Sequence, residues 1–243
     1  MSYYKIIKIN AIDSSNNEIK RMYRQKLVKN KLVVWALEQN EGRGQGKKKW
    51  LSEANKNLTF SIFLDSSCLD YHSHIGLNLI TSLTVKKVLN FYGLSNLTIK
   101  WPNDILSVNK KVSGILIENL YRGQKFYGSI VGVGINVNQF IFPRYLNASS
   151  MKILLKKEFN LENVLNCFLD FFSKNLKIYN DFNLLMKDFN KNLFGKDKLI
   201  EFKINGKIIE GKVIGLADDK SFEIIDINGI KKRANLTNFK IIS

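Results

Sequence analysis

Lys100-Trp101-Pro102-Asn103-Asp104, followed seven residues after Asp104 by Lys111-Val112-Ser113-Gly114-Ile115-Leu116-Ile117-Glu118, decides how this 243-residue chain folds. Residues 97–101 have the β-branched and aromatic content of a short strand. Pro102, one of only two prolines, ends regular pairing because it has no N–H and restricts the residue before it. Asn103-Asp104 then forms a turn, and after residues 105–108 and a turn at Asn109-Lys110 a core strand starts at Lys111. If the two strands pair as a hairpin, Asp104 and Lys111 lie on neighbouring strand ends. A carboxylate there keeps the ammonium charged and aimed, and Gly114 lets a ligand approach the backbone. The competing reading is an ordinary solvated lysine at the start of a strand.

Working outward, residues 14–30 read as a helix, with Ser15 and Glu18 spaced as a capping box and Ile19, Met22, Tyr23 and Leu27 on one face. Strands are predicted at 32–37 and 58–64, a long buried helix at 75–92, and a long strand at 126–137 containing Val131-Gly132-Val133-Gly134-Ile135-Asn136. Helices follow at 161–179 and 182–193. Helices and strands that do not alternate regularly indicate an α+β fold with a mixed sheet. After Gly195 the texture changes to short strands at 198–204, 208–214, 222–227, 230–234 and 239–242, with Asn205-Gly206 and Asn228-Gly229 as hairpin turns. This predicts a main domain over 1–195 and a small C-terminal β-barrel domain over 196–243, docked on the first because so short a segment has little core of its own.

With 45% hydrophobic residues the chain has ample material for a core. The formal charge of +17 raises nucleic acid as a partner, but the lysines are scattered and no basic arm or recognition helix stands out, so no specific nucleic-acid partner is expected. Cys68 and Cys167 offer neither a disulfide framework nor metal spacing, and His72 and His74 lack further ligands nearby, so they read as a surface loop and no metal site is expected. No signal peptide or run of 18 apolar residues is present, which predicts a cytoplasmic protein with no membrane partner.

The segment Gln39-Asn40-Glu41-Gly42-Arg43-Gly44-Gln45-Gly46-Lys47-Lys48-Lys49-Trp50 is a glycine loop carrying positive charge, suited to a phosphate. It lacks the Gly-Lys-Ser/Thr ending of a P-loop and the spacing of a dinucleotide fingerprint. Trp50 suits either a base-stacking surface or a core plug.

Together, Asp13-Ser14-Ser15-Asn16, Gln39 with Gly42-Arg43-Gly44, Lys49-Trp50, Lys100 to Asp104, Lys111 to Glu118 and Val131 to Asn138 resemble the biotin protein ligases in order and spacing, over nearly the whole chain. The resemblance implies a biotin/lipoate ligase-like catalytic domain with an SH3-like C-terminal barrel, and a two-step reaction. Biotin and Mg-ATP form biotinyl-5′-AMP, then a lysine of a biotin carboxyl carrier domain attacks it. ATP, Mg2+ and biotin are then ligands rather than tightly held groups. Ser14, Ser15, Asn16 and Gln39 line the biotin pocket in this comparison. Arg43 and the Gly42, Gly44 and Gln45 loop close over biotin and the adenylate phosphate. Trp50 carries the adenine, Asn103 and Asn136 lie in the nucleotide region, and Gly114 and Gly134 leave room beside the sheet. Lys111, Arg43 and Asp104 form the catalytic set, with Lys111 on the carboxylate and α-phosphate and Asp104 orienting Lys111 or the incoming amine.

Two positions depart from the pattern. Gln45 replaces the loop's common second arginine, which predicts altered adenylate retention, and Ser15 stands where threonine is frequent. The few residues before Asp13 leave no room for a winged-helix domain, so the resemblance is to the ligase-only form. A lipoate or octanoate ligase or transferase on the same fold, and a non-catalytic nucleic-acid binder, are the alternatives. The acceptor's identity, and whether a homodimer forms through a sheet edge, are left open by the sequence.

Overall fold

The structure is a computed structural model and describes residues 4–69, 74–217, 219, 221–236 and 238–242. Its main sheet is built from β1 (Lys5–Ile12), β2 (Leu32–Gln39), β3 (Leu58–Asp65), β4 (Leu97–Lys100), β5 (Asp104–Ser107), β6 (Lys110–Arg122) and β7 (Lys125–Ile135). The spatial order is β1-β2-β3-β7-β6-β5-β4. Only β1 and β2 run parallel, so the sheet is mixed, as the irregular alternation of elements requires. At its centre β3 and β7 are nearly continuous apolar runs because both faces of the sheet are covered.

One face carries α2 (His74–Phe91), α4 (Leu161–Ile178) and α5 (Phe182–Lys191), with the short α3 (Met151–Leu155) beside them. Phe60 of β3 meets Phe168 edge-on at 5.0 Å, and Phe168 stacks on Phe172 at 5.3 Å. Helix α2 lies deep in the core, and its buried hydroxyls are satisfied locally: Thr81 and Thr84 donate to the carbonyls of Leu77 and Ile80, while Asn175 of α4 donates to Thr84 Oγ1. The opposite face of the sheet holds α1 (Ser15–Arg24), whose Ile19 packs with Val34, Phe63 and Ile130 in a second, smaller core. The expected capping box does not form. Ser14 is the N-cap, without a side-chain bond to the helix, and the Ser15 hydroxyl is directed at Ser61 instead. His72 falls outside the described residues, and His74 opens α2.

The C-terminal strands β8 (Leu199–Ile204), β9 (Lys207–Leu216), β10 (Ser221–Asp226), β11 (Lys231–Asn235) and β12 (Phe239–Ile241) make a five-stranded antiparallel sheet, ordered β11-β10-β9-β8-β12. This is the small all-β unit the hairpin turns predict, although no pairing joins β11 to β12 among the described residues. Phe202, Val213, Phe222 and Phe239 belong to the same contiguous apolar cluster as the main core. Trp101 is one link: its ring lies 6.2 Å from that of Phe189 in α5 and 5.4 Å from that of Phe222 in β10, and Asn190 of α5 adds hydrogen bonds to the backbone of Leu216 in β9. Among the described residues no helix is long and apolar enough to cross a membrane.

Candidate active site

The turn between β4 and β5 delivers Asp104 opposite Gly114 of β6, and a register shift between Ile105 and Leu106 brings Lys111 back towards it. Lys111 Nζ lies 2.6 Å from Asp104 Oδ1. The lysine's backbone is fixed on both sides, donating to Asn147 O at 2.8 Å and accepting from Ser149 N at 2.9 Å. The side-chain amide of Asn136 supports the same junction, donating to Ser149 O at 3.0 Å and Lys111 O at 3.4 Å.

Residues 42–50 fold as a tight hairpin rather than an open phosphate nest. Trp50 N donates to Gly42 O and Gly44 N to Lys48 O, both at 2.8 Å, and Gln45 is at the tip. The hairpin lays the Trp50 indole over two glycines: a Cβ on Gly114 would stand 3.0 Å from Trp50 Cζ3, and one on Gly134 would stand 2.6 Å from Cζ2. The space that the two glycines open beside the sheet therefore holds Trp50, with Lys111 Nζ 5.5 Å from its ring centre. Arg43 turns towards α1 and β6, where its NH1 lies 3.0 Å from Glu118 Oε1 and donates to Asn17 Oδ1 at 3.0 Å.

Beneath the hairpin is a cavity of about 910 Å³, large enough for an extended small molecule. Ser14, Ser15, Gln39, Arg43, Gly44, Gln45, Trp50, Asn103, Asp104, Lys111, Gly114 and Gly134 all line it. Asn16, Gly42 and Asn136 do not line it; Asn136 has its donors on backbone carbonyls behind the wall. One part of the wall is polar: Ser15 N donates to Gln39 Oε1 at 2.7 Å, which leaves the Gln39 amide N–H groups for a ligand, while the Ser15 hydroxyl is already bonded to Ser61 Oγ at 2.7 Å. The rest is cationic. Arg43, Lys48, Lys49, Lys100 and Lys111 face the cavity against the single carboxylate of Asp104, an imbalance that favours an anion.

Several contributors were not singled out from the sequence. Lys100 donates to Ile242 O and lies 5.5 Å from the Phe194 ring centre, so the chain's C-terminal end and the segment after α5 reach the cavity. Burial pushes the Lys100 pKa down, Asp104 opposes that, and Lys48 and Lys111 add to it. Lys240 is lowered too, first by its contact with Lys48, then by burial and by the charges of Lys48 and Lys100. These lysines crowd one another, and the charge of Asp104 only partly offsets their repulsion. Glu118 and Ser61 lie behind the polar end. Burial pushes the Glu118 carboxyl up, but hydrogen bonds from Lys20 and Asn16 and the charges of Lys20 and Arg43 outweigh it, so it is held below the usual carboxylate value.

A mixed sheet whose glycine-bearing strands β6 and β7 lie under a cationic hairpin, with one cavity lined by Ser15, Gln39 and the Lys111–Asp104 pair, defines a class of protein with a built small-molecule site on the sheet. Residues 9–136 match the Biotin/lipoate A/B protein ligase family, and the chain belongs to it. The chain is similar to the biotin protein ligase from Aquifex aeolicus in complex with biotin and ATP, with 27% identity and a TM-score of 0.85, covering 99% of both chains. It is 28% identical over 207 residues to the bifunctional ligase/repressor BirA of Bacillus subtilis, and 33% identical over 101 residues to that of Escherichia coli. The matches cover 82% of this chain and 63% of the Bacillus relative, and 41% of this chain and 30% of the Escherichia relative.

Proposed function

We propose that the chain is an ATP-dependent biotin–protein ligase. A biotin carboxylate oxygen attacks the α-phosphorus of Mg-ATP, the bond to pyrophosphate breaks, and biotinyl-5′-AMP forms. The amine of a carrier-domain lysine then attacks the acyl carbon, the carbon–oxygen bond to AMP breaks, and an amide results, with a proton released. The observation that carries this reading is the one cavity that Ser15 and Gln39 line together with the Lys111–Asp104 pair and four further cations, Arg43, Lys48, Lys49 and Lys100. The similarity to the Aquifex ligase over nearly the whole of both chains supports it.

In this reading Ser14, Ser15 and Gln39 hold the ureido head, and Lys111 neutralises the carboxylate and α-phosphate as they approach. Placing two anions together is the main obstacle, so positioning and cationic stabilisation supply the rate. Asp104 keeps the Lys111 ammonium aimed. Trp50 offers adenine a surface, and Lys48 and Lys100 meet the departing pyrophosphate. Magnesium arrives with ATP, and the acceptor is a biotin carboxyl carrier domain. The assay is ATP-dependent incorporation of labelled biotin into a purified carrier domain. Lys111→Ala and Arg43→Ala are each expected to abolish incorporation in folded protein. Near-normal activity in both variants would refute the site, and incorporation of lipoate or octanoate instead would refute the substrate.

A further inference from the structure

The side chains behind the polar end of the cavity form a connected chain of hydrogen bonds that begins at a charge. Asn16 Nδ2 donates to Glu118 Oε2 at 2.9 Å and to Leu116 O at 3.3 Å. Both partners only accept, so the amide nitrogen of Asn16 must face them and its oxygen must face the other way. That oxygen points over Gly132, where any Cβ would collide with it, and lies 2.5 Å from Ser61 Oγ. Asn16 Oδ1 can only accept, so the one proton of the Ser61 hydroxyl goes to it. Ser61 Oγ also lies 2.7 Å from Ser15 Oγ, and with its own proton committed it can only accept there. The Ser15 proton therefore points into the wall, and Ser15 presents lone pairs to the cavity it lines. All three linking residues are buried, with Asn16 at 3%, Ser61 at 0% and Ser15 at 5% exposure, so water does not scramble the order.

Glu118 is itself fixed as an anion. Lys20 Nζ of α1 lies 2.8 Å and Arg43 NH1 of the hairpin 3.0 Å from Oε1, and Oε2 accepts from Asn16 at 2.9 Å and, at 3.3 Å, from the same Arg43 NH1. Gln39 supplies the complementary half: its Oε1 is occupied by Ser15 N, so its amide N–H groups are the donors on that side.

We infer that Glu118 is a positioning residue which, through Asn16 and Ser61, makes Ser15 an obligatory hydrogen-bond acceptor, so that beside the Gln39 donor the pocket accepts a ligand edge presenting N–H next to C=O and rejects one presenting oxygen at the N–H position. The inference rests on the biotin reading for the identity of that edge, a cyclic urea. It also explains why Glu118 is occupied by side chains from two different elements: the charge holds both the hairpin and the polarity of the pocket.

The test is calorimetric titration of the full chain with biotin and with the two isomeric cyclic carbamates in which one or the other ureido N–H is replaced by ring oxygen. The wild-type protein is expected to prefer biotin over one isomer, the one placing oxygen at Ser15, by about 30-fold or more, because a site built to receive an N–H leaves its acceptor unpaired otherwise. In Ser61→Ala the Ser15 hydroxyl loses its acceptor and is free to donate to that oxygen. The preference should then shrink to about threefold, while the preference over the other isomer is kept. Glu118→Gln replaces the charged acceptor by a neutral amide and weakens the hold on Asn16, with the bond to Leu116 O remaining, so it should narrow the same ratio in part, which covers the case in which Ser61→Ala does not fold. Ratios unchanged in the folded variants, with all ligands merely weakened together, would overturn the relay and leave the biotin reading intact. Failure of the wild-type protein to bind biotin at all would overturn both.

Discussion

Gly134→Ala should weaken ligand retention while leaving the protein as stable as before, or slightly more so. Gly134 is in the middle of the sheet, paired to Thr59 on one side and Gly114 on the other, so its backbone has nowhere to go. The added methyl would stand 2.6 Å from Trp50 Cζ2 and 2.9 Å from Nε1, so the indole must leave its seat. Overpacking of this kind costs about 1–3 kcal/mol. Because Trp50 is on a surface hairpin and can swing outward, that cost falls on the closed hairpin rather than on global folding. Converted at 1.4 kcal/mol per decade, it predicts an approximately 5- to 150-fold loss of affinity for a ligand whose retention needs the hairpin seated. Replacing a strand glycine by alanine adds about 0.5–1 kcal/mol to stability through the unfolded chain, so the denaturation midpoint should hold or rise. Biotin titration and urea unfolding of the same preparations check both halves. Unchanged affinity would show that ligand retention does not need the indole seated on the two glycines; affinity and stability falling together would show that the strand, not the tryptophan, gave way.

Asp104→Asn should cost no more than about 1 kcal/mol of stability, since its ion pair with Lys111 is partly open to solvent, yet lower adenylate formation in a pyrophosphate-exchange assay by well over the corresponding factor. Gln45→Arg should slow release of free adenylate by roughly fivefold, the gain of a charge-assisted over a neutral hydrogen bond; release at the original rate would remove Gln45 from the site. Glu118 is held below the ordinary carboxylate value, so its pairing contributes stability above about pH 4.3 that is lost as pH falls towards and through its own lower pKa. Wild type and Glu118→Gln should therefore differ in melting temperature at pH 7 and converge near the acid end, as followed by circular dichroism. Phe168→Ala, which empties a fully buried position between Phe60 and Phe172, should cost about 3–5 kcal/mol in urea unfolding.

The reach of the sequence differs from element to element for physical reasons. The Asp104–Lys111 neighbourhood is legible because it is local, but the expected hairpin of the 97–101 strand with the strand at Lys111 does not form: residues 104–107 are a strand of their own, β5, which pairs with β4 on one side and β6 on the other and so still brings Asp104 beside Lys111. Strands β3 and β7 are legible as apolar runs. Strand β1 is not, since Lys5 and Lys8 interrupt its apolar pattern and most of its residues stay at least partly exposed at the sheet edge. Ser15 and Glu18 have capping-box spacing, but a local pattern cannot know that a hydroxyl 46 residues away competes for Ser15. Partners at such separations, including Glu118 for Asn16 at 102 residues and Ile242 for Lys100 at 142, are set only by tertiary packing. For the same reason the lysine of the C-terminal sheet that crowds Lys48 has no signature in its own neighbourhood.

The contact between Trp101 and Phe222 makes the corner that carries Asp104 depend on the last part of the chain to be synthesised. Trp101 directly precedes the Pro102-Asn103-Asp104 turn, and its ring is closed in by a strand that leaves the ribosome more than a hundred residues later. Until that strand arrives, an indole that is 5% exposed in the finished protein faces water, and the turn presenting Asp104 lacks one of its supports. A chain stopped short of β10 would carry the main sheet and every cavity residue up to Phe194, yet hold the Asp104 carboxylate on a corner braced by Phe189 but not by Phe222.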